Sequence, residues 1–239
     1  MTEILKVCKL NKSFGGVTVA RDIDFHLTQG TMHCLIGPNG AGKSSFFRMI
    51  LGEYAPDSGQ ILFRGEDITG LRPFQRIRRG MSVKFQVPGI FKELSVRQNL
   101  EVAFQHHLHG HSLTGTIGRV LEFTNLEGES ATPAGQLSHG QQQWLEIGMA
   151  VGVEPQLLLL DEPTAGMSPD ETRKTGDMLH ELNARGITIL AVEHDMAFVE
   201  QIANSITVLH MGAIFAEGTI AEIIEHPGVQ EIYLGAADE

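Results

Sequence analysis

The residues with the most specific chemistry are Gly37-Pro38-Asn39-Gly40-Ala41-Gly42-Lys43-Ser44, followed by Ser45. They satisfy the pattern G-x-x-x-x-G-K-S/T, directly after the apolar run Met32 to Ile36 and directly before a helix-compatible stretch, Ser45 to Leu51. Glycines let successive backbone N–H groups turn inward around phosphate oxygens, and the following helix presents its positive end. Lys43 adds a point charge, and the Ser44 hydroxyl is placed to ligate Mg²⁺. An ordinary glycine-rich turn would not need Lys43, Ser44 and the strand-loop-helix context together. The chemistry implied by the loop alone is the binding of a nucleoside triphosphate with Mg²⁺.

A second element is Leu157-Leu158-Leu159-Leu160-Asp161-Glu162, an apolar strand ending in two acids. Alone, such a run usually marks only a strand end. Beside a phosphate loop it reads as the other half of a nucleotide site, with Asp161 in the Mg²⁺ shell and Glu162 polarising the attacking water as general base.

The elements that must position these groups are legible in outline. Ile23, Phe25 and Leu27 alternate with Asp22, Asp24 and His26, the period of a half-buried strand, and with Ile4 to Leu10 they predict an N-terminal antiparallel sheet. Met32 to Ile36, Leu157 to Leu160, Ile187 to Val192 and Ile206 to Leu209 are short apolar runs separated by helical stretches, which predicts a buried, largely parallel sheet. Capping-box patterns open helices at Ser95, Ser138, Ser168 and Thr219, and Gly186 marks a helix stop. Strand signals largely vanish between Pro88 and Gly148. The expected fold is α/β, with a core over residues 1–87 and 152–239 and an inserted helical lobe over 88–151.

Bulk properties narrow the function. The chain has 239 residues, 42% apolar, enough for one sizeable core. A formal net charge of -11 argues against a nucleic-acid partner. Two cysteines, Cys8 and Cys34, give no disulfide framework and fit a reducing cytoplasmic setting. No uncharged apolar run approaches the roughly 18 residues of a membrane span, and the N-terminus does not read as a secretion signal.

Leu137-Ser138-His139-Gly140-Gln141, about twenty residues before Asp161, resembles the LSGGQ signature of ATP-binding-cassette ATPases, with His139 in place of the first glycine. The resemblance covers nearly the whole chain and its motifs run in the family order. It implies that the nucleotide is ATP, held by a P-loop nucleotide-hydrolase core with an N-terminal β-subdomain and an inserted helical subdomain. It also implies that Phe14 stacks on adenine, that Gln86 reaches Mg²⁺ and the attacking water, and that His194 contacts the γ-phosphate. Outside that setting each of these three would be read as structural. By the same resemblance two subunits pair head to tail, so that Ser138, Gly140 and Gln141 of one close over the phosphate held by the other, with Ala165 to Ser168 crossing the interface. A helix N-terminus carrying Ser138 and Gly140 is itself suited to an anion.

Phe14-Gly15-Gly16, Lys84-Phe85-Gln86-Val87-Pro88, Glu193-His194-Asp195 and Pro227 to Gly235 resemble ATPase subunits of branched-chain amino-acid importers. The Leu137 to Gln141 motif with Trp144 to Gly148, and Val208-Leu209-His210, resemble the urea-importer branch more closely. The interval from Gln86 to Ser138 is short for that branch. The partners implied are permease subunits, a second ATPase subunit (this chain or a related one) and an external solute-binding protein, with this chain peripheral on the cytoplasmic face of the membrane. Lipopolysaccharide-export ATPases share the compact layout, and a non-transport cassette ATPase is a further alternative. Two local features read as surface: the cluster His106, His107, His109 and His111, whose rival reading is a metal site, and the basic run Arg72, Arg76, Arg78 and Arg79, read as a solvated helix face.

Overall fold

The computed structural model describes residues 2–86, 89–106 and 108–235. The first half of the chain runs β1 (Glu3–Phe14), β2 (Val17–Thr28), β3 (Met32–Ile36), α1 (Lys43–Leu51), β4 (Ser58–Phe63), β5 (Glu66–Asp67), α2 (Pro73–Ile77), β6 (Met81–Lys84), α3 (Val96–Phe104) and α4 (Gly110–Phe123). The second half runs α5 (His139–Val151), β7 (Leu157–Asp161), α6 (Pro169–Ala184), β8 (Thr188–Val192), α7 (Met196–Ile202), β9 (Ser205–His210), β10 (Ala213–Gly218), α8 (Ile220–Glu225) and α9 (Pro227–Gly235).

The alternating N-terminal pattern folds as an antiparallel pair, with Val7 opposite Phe25 and Leu10 opposite Ile23, all four buried. β4 pairs with the other edge of β1, giving the order β2-β1-β4-β5. The apolar runs form a second sheet, β10-β9-β3-β8-β7-β6, in which β9, β3, β8, β7 and β6 are parallel and β10 is an antiparallel edge. Every residue of β3, β7 and β8 is buried, as expected of strands covered on both faces. One apolar core joins α1 and the N-terminal sheet to one side of the parallel sheet. A second lies on the opposite side beneath α6 and α7.

Between β6 and β7 the described residues hold helices and no strand. Val96, Leu100 and Phe104 of α3, Ile117, Val120 and Leu121 of α4, and Leu145 of α5 form a third apolar cluster. Trp144 and Ile147 of α5 belong instead to the second core, so this one helix is packed on both sides. The boundary expected at 87/88 lies outside the described residues.

All four capping boxes form, each with the serine or threonine side chain accepting from the N3 backbone and the N3 side chain closing on the cap. Each such cap is worth about 1 kcal/mol. β6 and β10 were not readable from the sequence: β6 is four residues ending in a lysine, and β10 is a half-exposed edge strand. The basic run is corrected at one position. Arg72, Arg78 and Arg79 are exposed, but Arg76 is 1% exposed, and its guanidinium donates to the carbonyls of Met49, Ile50, Thr69 and Leu71. It satisfies carbonyls left open at the end of α1, and burial pushes its pKa down to about 10.

Candidate active site

The parallel strands all end on one edge of the sheet, and the chemically distinctive residues follow those ends. The phosphate loop follows β3, Gln86 follows β6, Glu162 follows β7 and His194 follows β8. In an open α/β sheet this edge is where ligands bind.

Gly42, with φ 103°, caps α1, and the helix begins at Lys43, two residues earlier than the sequence suggested. Gly37 and Gly42 have no substitute. A Cβ on Gly37 would come within 2.2 Å of the Leu209 carbonyl oxygen, and one on Gly42 within 2.3 Å of that of Val19. The loop is therefore clamped between β9 and β2, with its amides free of side chains. Lys43 folds back so that Nζ donates to the carbonyls of Gly37 at 2.6 Å and Pro38 at 3.0 Å. Burial lowers its pKa, and the charges of Glu162 and Asp161 oppose that shift. This half-buried ammonium beside a glycine loop that leads into a helix N-terminus suits a phosphate anion.

Asp161 is buried at the end of β7. Its carboxyl is pushed above the ordinary range by burial first and by neighbouring Glu162 second, against the pull of Lys84, Arg48 and Lys43. The buried Asp161 carboxyl, with the Ser44 hydroxyl in the first turn of α1, is a donor set that suits a hard divalent cation.

Glu162 has φ 45°, a left-handed conformation costing a non-glycine residue about 1–3 kcal/mol. The surroundings hold it there. Its N–H donates to the Val192 carbonyl at 3.0 Å, and its own carbonyl accepts from Ala165 N at 3.3 Å. Its carboxylate accepts from Gln86 Nε2 at 2.9 Å and lies 3.6 Å from His194 Nδ1. The fold thus gathers Lys43, Asp161, Glu162, Gln86 and His194 at one place, from four strands.

Two of the expected groups lie apart from this cluster. Phe14 is exposed at the end of β1, edge-on to Tyr54 at 5.1 Å, with Lys12 Nζ 5.0 Å from its ring centre. Ser138 caps α5, and its Oγ lies 3.4 Å from Glu171 Oε1 on α6. A Cβ on Gly140 would meet that same oxygen at 2.3 Å, so the signature helix and α6 approach through a glycine. Among the described residues, Ser138, Gly140 and Gln141 make no side-chain hydrogen bond to the phosphate loop of their own chain.

Three charged residues near the site were not singled out by the sequence. Lys84 is fully buried, with Nζ 3.5 Å from the Asp161 carbonyl and 3.4 Å from that of Glu162; burial lowers its pKa, and the nearby charge of Glu146 opposes this most. Glu146, on α5, accepts from Gly89 N at 3.0 Å, just beyond Gln86. Glu193 accepts from the Thr164 amide and hydroxyl and from the His194 amide, stapling the segment after Glu162 to the end of β8. The available signal was an ionisable residue closing an otherwise apolar strand, as in Met81-Ser82-Val83-Lys84 and Thr188 to Glu193. Among the described residues no group of three or more His, Cys, Asp or Glu could hold a metal by itself, and His107 lies outside them.

With this geometry in place, comparison with known proteins is informative. The ABC transporter family model matches residues 20–165. The chain is 35% identical to the high-affinity branched-chain amino acid transport ATP-binding protein BraF of Pseudomonas aeruginosa, over 98% of each protein. It is 33% identical, again over 98% of each, to the lipopolysaccharide export system ATP-binding protein LptB of Acidithiobacillus ferridurans. A crystal structure of the ADP conformation of an ATP-binding cassette of an ABC transporter superposes with a TM-score of 0.91 at 30% identity, covering 98% of this chain and 100% of the other.

Proposed function

The chain belongs to the ABC transporter ATPase family, and from that premise we propose that it hydrolyses ATP to drive solute import through a partner permease of the branched-chain amino-acid type. The observation that carries the importer reading is its 35% identity to BraF along essentially the full length of both proteins. Being an ATPase follows from the family; the residue roles, the cargo and the partners are the proposal.

In this reading Gly37 to Ser45 bind the phosphates through backbone amides, Lys43 and Ser44. Ser44, Asp161 and Gln86 would hold Mg²⁺, which when bound supplies charge neutralisation at the phosphates. Phe14 would offer its ring face to the adenine. Glu162, aimed by Gln86 and adjacent to His194, takes the proton of the attacking water, and His194 orients the terminal phosphate. The Ser138, Gly140 and Gln141 end of α5, whose side-chain hydrogen bonds among the described residues do not include the phosphate loop of its own chain, would complete the site of a second ATPase subunit, the same chain or a related one. The division into core and helical lobe used here is supported by the separate apolar cluster of α3, α4 and α5.

No helix among the described residues is long and apolar enough to cross a membrane, so the permease must supply the membrane path. Phe85 and Phe91, both exposed within the segment joining β6 to α3, suit an apolar partner surface. A solute-binding protein on the far side of the membrane and a peripheral position on the cytoplasmic face complete the assembly.

For the cargo, likeness to BraF supports a branched-chain amino acid, and the Leu137 to Gln141 and Trp144 to Gly148 motifs support urea or a short amide. Likeness to LptB supports the rival, lipopolysaccharide export. Co-expression with the neighbouring permease and solute-binding genes, followed by ATPase assays with leucine, isoleucine, valine or urea, tests this. Stimulation by one of these solutes is expected. Co-purification with lipid-extraction partners and no solute response would replace import with export.

A further inference from the structure

The departure of the signature from its usual form, His139 for glycine, has a structural partner. His139 Nε2 lies 2.9 Å from the Ala165 carbonyl oxygen, which can only accept, so this ring nitrogen carries the proton and donates. Gln143, one turn along α5, places its amide nitrogen 3.3 Å from the same ring nitrogen, and its buried amide oxygen has no other partner, so turning the amide over pairs that oxygen with the ring N–H. The ring also fills a space that a glycine leaves open. Gly166 has φ 74°, and a Cβ there would sit 3.1 Å from His139 Nε2 and 3.2 Å from the adjacent ring carbon.

What His139 holds, Ala165, is three residues from the proposed base. Ala165 accepts from His139 through its carbonyl and donates through its N–H to the carbonyl of Glu162 at 3.3 Å. Met167 N closes the same turn on the Thr164 carbonyl at 3.1 Å. A second tie runs in parallel, since Glu171 accepts from Ser168 through Oε2 and from Ser138 through Oε1. Residues 138–140 and 165–171 are thereby one hydrogen-bonded unit, and its members Ser138, His139, Gly166 and Ser168 are solvent-exposed.

We infer that His139 is a positioning residue that ties the signature helix to the Ala165 to Met167 turn of the same subunit, so that the two elements meet a second subunit in fixed register and Glu162 is held by that register. A glycine cannot make this tie, because it has neither a donor nor a ring to lay on Gly166. The inference rests on the proposed closure of the Ser138 motif over a partner's phosphate loop, and it is tested in two separable steps.

The tie itself is read in the nucleotide-free chain by hydrogen exchange at the amides of Ala165 and Met167, in wild type, His139→Gly, His139→Leu and His139→Gln. Glutamine keeps a donor at nearly the position of Nε2, whereas leucine fills space without one. Exchange about tenfold faster (about 1.4 kcal/mol) is expected in the glycine and leucine variants and near-wild-type exchange in the glutamine variant. Unchanged emission of Trp144, which donates to Thr175 across the α5–α6 contact at 2.9 Å, verifies that each variant is folded. Closure is then read by sedimentation with ATP in a Glu162→Gln background. His139→Gly and His139→Leu should need about ten times more protein to dimerise, with ATP affinity of the single chain unchanged, and His139→Gln should restore dimerisation. Equal exchange in all four proteins overturns the tie. Altered exchange with undiminished dimerisation overturns its role in closure. Absence of an ATP-driven dimer in the Glu162→Gln parent overturns the head-to-tail reading instead, and the inference falls with it.

Discussion

Two anion-suited regions of this molecule are built by the same local rules and end in different states. Each has a helix N-terminus with glycine and a hydroxyl side chain, at Gly42 to Ser44 on α1 and at Ser138 to Gly140 on α5. At α1 the helix supplies its own ammonium, and the surrounding strand ends bring two carboxyls, an amide and an imidazole, within one chain. At α5 the neighbours are Glu171 and Ala165, which hold the helix in place and add no group suited to phosphate. The first region gathers a nearly complete set of groups, and the second, on the proposed reading, serves another subunit. A helix end becomes a site only when tertiary structure delivers the complementary charges.

The largest effect should come from the α1 region. Glu162→Gln removes the base while keeping a similar shape, so hydrolysis is expected to fall by about 10²–10⁴ with ATP binding retained. Wild-type turnover in that variant would show that Glu162 does not take the proton and would erase the contrast drawn above.

The core beneath that region carries its own pH signature. His33 on β3 is buried between Ser205 and Thr207, at 2.7 and 2.8 Å, and burial pushes its pKa down to about 4. The unfolded chain, with an ordinary histidine pKa near 6.5, therefore takes up this proton first. The stability contributed is complete above about pH 6.5 and is lost as pH falls toward 4, amounting to about 3 kcal/mol. Chemical denaturation at a series of pH values should show this loss, and His33→Gln should flatten it. A wild-type profile that is flat from pH 7 to 4.5 would count against the buried neutral histidine.

At α5, Ser138→Ala should separate binding from turnover. ATP affinity of the lone chain stays as it was, while hydrolysis by the assembled pair drops by about 10², the usual cost of one donor aimed at developing charge. The same change removes an N-cap and lowers stability by about 1 kcal/mol. A loss of ATP affinity in the lone chain would mean that the signature serves its own nucleotide. The smallest effect is expected at Phe14. Phe14→Ala should weaken ATP binding about fivefold, within the range of one base-stacking contact, and weaken GTP and ATP alike. Titration with both nucleotides measures it, and an unchanged affinity would return Phe14 to its contact with Tyr54.

Much of this was legible beforehand, for local reasons. A phosphate loop is a run of neighbouring residues, so spacing reveals it. Capping boxes are four residues long, and all four formed. Strands whose residues are all or mostly buried read as apolar runs, which located β3, β7, β8 and β9. Arg76 shows where such reading fails. In sequence it is one arginine among four; in the fold it is buried against four carbonyls from residues up to 27 positions away. Lys84 and Glu193 were missed in the same way, since their partners lie at or just after the end of β7, far along the chain. Even His139 was visible only as a departure from a pattern, and its partner Ala165 is 26 residues distant.

The sequence by itself determined that a phosphate loop, an acidic strand end and a capped signature helix exist, because each is written in residues a few positions apart and stabilised by local backbone geometry. Only the tertiary structure decided that β3, β6, β7 and β8 end on one edge, so that Gln86 and His194 reach Glu162 while Ser138 does not reach Lys43. The physical reason is that strand order and helix placement arise from burying apolar faces contributed by the whole chain, and no single segment encodes them.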